Sequence, residues 1–409
     1  MPTQLQKQII QQLPIPSRKG RNAILNSTYL EDIVSALGEW SCQRAVVVHS
    51  KALDSSTDVI QKLRHKLGFL IVATKSGVGA HSPYDDVLEI TKILHENEAD
   101  CLISIGSSSY SDACKIARLM HTNIAPNNLT VDAVEALVDQ EKGYAEHLRD
   151  PSIKLILVPT SLSASEWNHA SSATNPKTHK KQHFGSENAM PDIILLDPEV
   201  ASTAPRKLWL SSGMRAVDHC VETMCNEQCT REASDHMEEA LEVLLKGLKE
   251  YKEGESLGDR EELLQGISKC QLGSRNAMMG HLLWRVPFGP SHAIGHQLGS
   301  ACGIMHGVNS CIVLAPVLRY TCDKKENQAE AQNKVLQVFN RVLHWKEKSA
   351  ADAVEKFVRM LELPASLKDV GVEDRATLEK VAEMSTTEVL GKQVGTKENV
   401  MEVLELARG

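Results

Sequence analysis

The chain has 409 residues, 45 Lys plus Arg against 53 Asp plus Glu, and a formal net charge of −8. At roughly 100–200 residues per domain, that length predicts two domains or three, and 42% hydrophobic against 24% charged residues excludes extended disorder. The acidic balance argues against nucleic-acid or anionic-membrane partners, and apolar runs such as 153–158 fall far short of the ~20 residues that cross a bilayer.

Residues 1–19 read as a weakly ordered leader, and 1–14 lack the apolar core of a signal peptide, so a cytoplasmic protein is expected. None of the ten cysteines forms a Cys-x-x-Cys pair, and several lie in apolar runs. Reduced, mostly buried thiols are the expectation. Residues 44–50 (RAVVVHS) predict a strand, followed by an amphipathic stretch to Leu67. Residues 69–74 predict a second strand and 82–97 a helix with acidic residues in its first turns. A third strand at 100–105 leads through a small-residue loop into a helix at 111–120, and 154–159 and 192–196 complete the series. Strands alternating with helical patterns predict βαβ units and a parallel sheet. After Asp197 apolar residues recur at three-to-four spacing through 212–221, 238–250, 260–279, 327–343, 350–363 and 377–383. An all-helical second domain is therefore expected, with the boundary near residue 199.

Two hydroxyl-rich loops follow apolar strands. Gly106, Ser107, Ser108 and Ser109 open a helix, where backbone amides and the helix dipole favour a phosphate. The competing reading is a serine-rich turn with Ser111 as the helix cap. The second loop runs from Pro159 to Glu166 and carries Thr160, Ser161 and Ser165. Two such loops at the carboxyl ends of parallel strands suit a nucleotide crevice. Lys180 and Lys181 downstream offer positive charge, or form a solvated turn.

Histidine is the densest chemical signal. His292 and His296 stand at i and i+4, on one helix face. His306 follows, and Arg215 and His219 lie one helical turn apart upstream. A single histidine in such a setting is more often a hydrogen-bonded core residue; four beside glycine-rich turns point to a site. Trp167, Trp284 and Phe288 lie next to these motifs, as pocket lining or as core between the domains.

Taken in order, Gly106-Ser107-Ser108-Ser109 with Asp112 and Lys115, Pro159-Thr160-Ser161 with Ser165-Glu166, Gly213-Met214 with Ala216, His219 and Glu222, and His292-Ala293 with His296, Leu298-Gly299 and His306-Gly307 resemble the iron-type alcohol dehydrogenases over about residues 20–400. Gly79-Ala80-His81-Ser82-Pro83 and the Pro159–Glu166 loop, one residue shorter than in metal-dependent members, are similar to the maleylacetate reductase branch. The resemblance implies a Rossmann-like α/β dinucleotide-binding domain at 20–199 and an all-α domain at 200–409, a dehydroquinate synthase-like architecture with the active site in the cleft between them. It implies NADPH or NADH as cofactor, a small carbonyl or enoate substrate, and a homodimer. Gly106, Ser107, Ser108, Ser109 and Asp112 match the diphosphate turn, which is normally richer in glycine. Thr160, Ser161 and Ser165 match the second cofactor loop, and Lys181 its lysine. His219, His292 and His306 match the metal-binding histidines, and His296 the further active-site histidine.

Two departures change what the resemblance implies. Arg215 stands where metal-dependent members carry an aspartate ligand, and a guanidinium repels a divalent cation rather than ligating it. Asp218 does not replace that ligand simply, because it points about 100° away around the helix. Ser50 ends the first strand where NAD-selective members carry Asp, which removes a repulsion against a 2′-phosphate and makes NADPH acceptable. The leading expectation is an NAD(P)H-dependent reductase without obligatory metal, with Arg215, His219, His292, His296 and His306 as its catalytic groups. The alternatives are an Fe²⁺- or Zn²⁺-dependent alcohol dehydrogenase using His219, His292 and His306, and a non-redox lyase or cyclase on the same scaffold.

Overall fold

The computed structural model describes residues 5–145, 147–178, 180–186, 188–322, 326–387 and 395–409. The chain divides into two compact units, residues 1–204 and 205–409, just beyond the boundary expected at residue 199.

The first unit is built on β1 (Gln8–Gln11), β2 (Asn22–Leu25), β3 (Ala45–His49), β4 (Ile71–Ser76), β5 (Cys101–Gly106), β6 (Val138–Asp139), β7 (Tyr144–Ala145), β8 (Lys154–Pro159), β9 (Ala170–Thr174), β10 (Lys181–Gly185) and β11 (Ile193–Leu196). Seven of these form one sheet in the order β1-β2-β11-β8-β5-β3-β4; every pairing is parallel except the β1–β2 edge. Every residue of β3 and β5 is buried, as a central strand covered on both faces requires. Helices Tyr29–Glu39 and Val59–Leu67 supply part of that cover, packing Ile33, Leu37, Ile60 and Leu63 against Val47, Ile103 and Ile105. Residues 8–11, expected in a weakly ordered leader, instead form β1, and Gln12 beside it is buried with its amide donating to the Asn22 and Pro191 carbonyls.

The connection from β3 runs outward to β4, while the chain from β5 proceeds the other way to β8 and β11. The carboxyl ends of β3 and β5 therefore flank the point where strand order reverses, the crevice position in doubly wound sheets. A second sheet, β6-β7-β10-β9, gave no strand signal in the sequence. Its strands are short and rich in Ser, Thr, Lys and Gln rather than in a run of branched residues.

The described residues of the second unit form helices only, as expected. The Arg206–Met224 helix is central, with every residue from Trp209 to Met224 buried. Helix Arg260–Leu282 packs on it, with Gly280 against Thr223. Helix His306–Cys322 reaches it at Gly307, which lies against the Ser211 backbone. Helix Pro290–Cys302 is tied to that neighbour by Asn309, whose amide donates to the Gly295 carbonyl at 2.7 Å. Three helices thus pack around the 206–224 helix. No helix among the described residues is long and apolar enough to cross a membrane.

Candidate active site

In the first unit, β5 ends at Gly106 and helix Ser108–Asn123 follows at once. A side chain at Gly106 would place its Cβ 2.6 Å from the Tyr110 ring, so glycine is required at the turn. Ser107 sits at the cap position, and its own side chain makes no bond to this helix start. Ser108 N is taken by Ser161 Oγ and Tyr110 N by the Ser107 carbonyl at 2.9 Å, so the turn presents fewer open amides than a bare helix start. The two hydroxyl-rich loops are joined. Ser108 N donates to Ser161 Oγ at 3.2 Å, Ser165 Oγ donates to the Ser108 carbonyl at 3.2 Å, and Thr160 N donates to the Gly106 carbonyl at 2.9 Å. Ser50 follows β3 and donates from its backbone to the Ile105 carbonyl at 3.1 Å, beside the Gly106 turn. Lys181 begins β10 opposite Thr174, in a strand rather than in the loop the sequence suggested.

Lys115 and Ser82, to which the sequence gave no role, hold these loops in place, and Glu166 is buried beside them. Lys115 is fully buried and donates to the carbonyls of Ser165 and of Asn168, the latter at 3.0 Å, with Asp112 at 3.3 Å. Asp112, expected at the cofactor, thus also serves as an ion partner within its own helix. Glu166 is buried near Lys115, and desolvation raises its pKa to about 7, partly offset by its own backbone hydrogen bond and by the Lys115 charge. Ser82, in the quoted Gly79–Pro83 motif, donates to the Ser109 carbonyl at 2.9 Å.

In the second unit, the structure gathers the sequence-predicted residues into one cluster, with Arg215, His219 and His292 buried and His296 and His306 partly exposed. His219 and His292 stack with ring centroids 4.7 Å apart, and His296 meets His306 edge-on at 5.6 Å. Arg215 links the pairs: it is buried, its Nη2 lies 3.5 Å from His296 Nε2, and its charge acts on His219 and His292. Among the described residues Arg215 makes no ion pair within 4.0 Å. A salt bridge along its own helix to Asp218 or Glu222 does not form; burial lowers the Arg215 pKa, and both carboxylates oppose that shift through space. Burial first, then the Arg215 charge, hold His219 and His292 well below the usual imidazole range, so both are neutral at pH 7.

His281 was missed. Its ring is 5.7 Å from His219 and 3.7 Å from Phe288, which in turn lies 4.8 Å from His292. Burial lowers its pKa to about 4. Its Nδ1 bonds to the Val286 carbonyl, which fixes the ring at the end of its helix. No second histidine stands four residues from His281, so the sequence offered no signal for it. Phe288 therefore belongs to the histidine cluster, whereas Trp284 lies tilted against His236 at 5.1 Å.

The second omission concerns carboxylates. Asp218, Glu222 and His292 form the one group of metal-capable side chains among the described residues whose candidate ligand atoms all lie within 4.8 Å of one another. The distances describe hydrogen bonds: His292 Nδ1 lies 2.6 Å from Glu222 Oε2 and 3.5 Å from Asp218 Oδ2, and Ser291 Oγ donates to Asp218 Oδ2 at 2.9 Å. Burial raises Asp218 to about 6, against hydrogen bonds from Ser310 and Ser291 and the Arg215 charge.

The sequence matches the family model for iron-containing alcohol dehydrogenase over residues 21–198 and the model for the C-terminal part of the Fe-containing alcohol dehydrogenase family over residues 209–408. It is 31% identical to dehydrogenase ALT3 of Alternaria alternata over 399 residues, covering 89% of this chain and 99% of that one. It is 30% identical to dehydrogenase FUM7 of Gibberella moniliformis over 400 residues, covering 89% and 90%. Among solved structures, maleylacetate reductase from Agrobacterium tumefaciens shares the fold with a TM-score of 0.70 at 18% identity, covering 94% of this chain and 95% of that one.

Proposed function

Because the chain belongs to the iron-containing alcohol dehydrogenase family, a family of NAD(P)-dependent dehydrogenases and reductases, we propose that it transfers a hydride from NADPH or NADH to the carbonyl or activated enoate of a small carboxylate-bearing substrate, without an obligatory metal ion. The observation that carries this reading is Arg215, a buried guanidinium with no ion-pair partner among the described residues, set against His296.

Hydride addition leaves negative charge on the substrate oxygen. A buried guanidinium is suited to that charge because it stays protonated and presents paired N–H donors to a carboxylate or oxyanion. The same charge opposes a divalent cation beside His219 and His292, so the donor set does not suit Fe²⁺ or Zn²⁺. His219, His292, His296 and His306 surround Arg215 as the candidate groups that relay a proton to the product oxygen, and with His219 and His292 held neutral those two act as hydrogen-bonding groups rather than as imidazolium acids. When bound, the reduced nicotinamide supplies the hydride. Gly106, Ser107, Ser108 and Ser109 form the turn that takes its diphosphate, Thr160, Ser161 and Ser165 line the adjoining loop, and Ser50 stands at the ribose end without a carboxylate to reject a 2′-phosphate. Asp112 and Lys181 complete the set on this reading.

A panel of keto acids, unsaturated keto acids and uncharged aldehydes, assayed by consumption of reduced cofactor in EDTA, tests the proposal. Turnover confined to the acids supports it. A preference for uncharged aldehydes counts against the role given to Arg215.

A further inference from the structure

The helix that carries His292 and His296 begins on a carboxylate from another helix. Gly289 N donates to Glu222 Oε2 at 3.0 Å, His292 N to the same oxygen at 3.4 Å, and Ser291 N to Glu222 Oε1. Gly289 is the cap residue of helix Pro290–Cys302, and the Ser291 and His292 amides belong to its first turn, which a helix leaves without internal partners. A side chain at Gly289 would put its Cβ 2.5 Å from Glu222 Oε1, so the glycine and the glutamate require one another. Glu222 is itself buried.

A carboxylate that receives backbone N–H groups on both oxygens is an acceptor, and it accepts from His292 Nδ1 as well, at 2.6 Å. The imidazole then carries its hydrogen on Nδ1 and leaves Nε2 as the free face. Among the described residues His292 Nε2 is buried with no hydrogen-bond partner, as is Nδ1 of the stacked His219. A divalent cation shared by Asp218, Glu222 and His292 accounts for this geometry less well, because the Glu222 oxygens already face amide hydrogens.

We propose that Glu222 is a positioning residue: it holds the first turn of the 290–302 helix and fixes His292 as the Nδ1–H tautomer, so that Nε2 faces the cluster around Arg215. This rests on the reading of that cluster as catalytic, and the tautomer is measurable without any substrate.

The test is nitrogen-15 NMR of histidine-labelled full-length protein, with His292→Asn used to assign the His292 signals, combined with kinetics of Glu222→Ala and Glu222→Gln. In the wild type, Nδ1 of His292 is expected to show the protonated signature and Nε2 the bare one. Glu222→Ala is expected to lose that tautomer preference and about 10–100-fold in kcat, the range seen when an orienting partner of a site histidine is removed, with KM for the cofactor unchanged. Glu222→Gln retains one carbonyl acceptor and is expected to recover the Nδ1–H tautomer and part of kcat. A wild-type His292 protonated on Nε2 overturns the proposal even if Glu222→Ala fails to fold. So does a folded Glu222→Ala that keeps the Nδ1–H tautomer. If the wild type is inactive toward every carbonyl tested, the functional reading fails while the tautomer result still decides the positioning role.

Discussion

Arg215 Nη2 stands 3.5 Å from His296 Nε2, with Arg215 buried one helical turn before His219. That relationship puts a permanent positive charge among the histidines that the resemblance assigns to metal binding. Removing one preorganised donor of this kind typically costs ~10²–10³ in rate. Arg215→Ala is therefore expected to lower kcat/KM by about two orders of magnitude on that basis, while the dissociation constant for NADPH stays unchanged. Arg215→Asp restores a carboxylate beside His219 and is expected to raise affinity for Zn²⁺, measured by competition with a chelating indicator. An Arg215→Ala protein with unaltered turnover makes Arg215 a structural charge only.

Cofactor choice depends on the end of β3. Ser50 is positioned by its backbone bond to Ile105 rather than by its side chain, so substitution there leaves the turn intact. Ser50→Asp is expected to shift the ratio of dissociation constants toward NADH by electrostatic rejection of the 2′-phosphate. Titration of both proteins with both cofactors checks this, and an unchanged ratio removes Ser50 from the ribose.

The buried Glu166 makes stability depend on pH. Its pKa rises from 4.5 to about 7 on folding, chiefly through desolvation. Between those values the folded state binds more protons than the unfolded state, so stability is full below pH 4.5 and falls as pH rises through 7. The cost at pH 8 is on the order of 3 kcal/mol, at ~1.4 kcal/mol per pKa unit. Glu166→Gln, which has no proton to lose, is expected to flatten the stability profile between pH 5 and about 8 in denaturant unfolding. A variant whose profile parallels the wild type shows that Glu166 is solvated.

Much of this arrangement was legible in the sequence, for identifiable reasons. β3, β5 and β8 are uninterrupted branched runs because both their faces are covered, and such runs stand out from any helical period. Arg215, His219, His292 and His296 lie at one-turn spacings on two helices, so sequence distance reports spatial distance. β1, β6, β7, β9 and β10 were not legible, because short polar strands have no pattern that separates them from loops. His281 and Glu222 were invisible as partners of His219 and His292, since each reaches its partner from a different helix. Asp218 was set aside as a ligand because it points away from the Arg215 face. That direction is what brings it to Ser291 and toward His292.

The central claim is that Arg215 does electrostatically what a metal ion does elsewhere in the family. The most direct measurement is turnover and elemental metal content on the same EDTA-dialysed sample, before and after addition of Fe²⁺ or Zn²⁺. The account predicts full keto-acid reduction at metal contents far below one ion per chain, with no gain on adding either ion. Activity that falls in proportion to metal content and returns with Fe²⁺ or Zn²⁺ would contradict it.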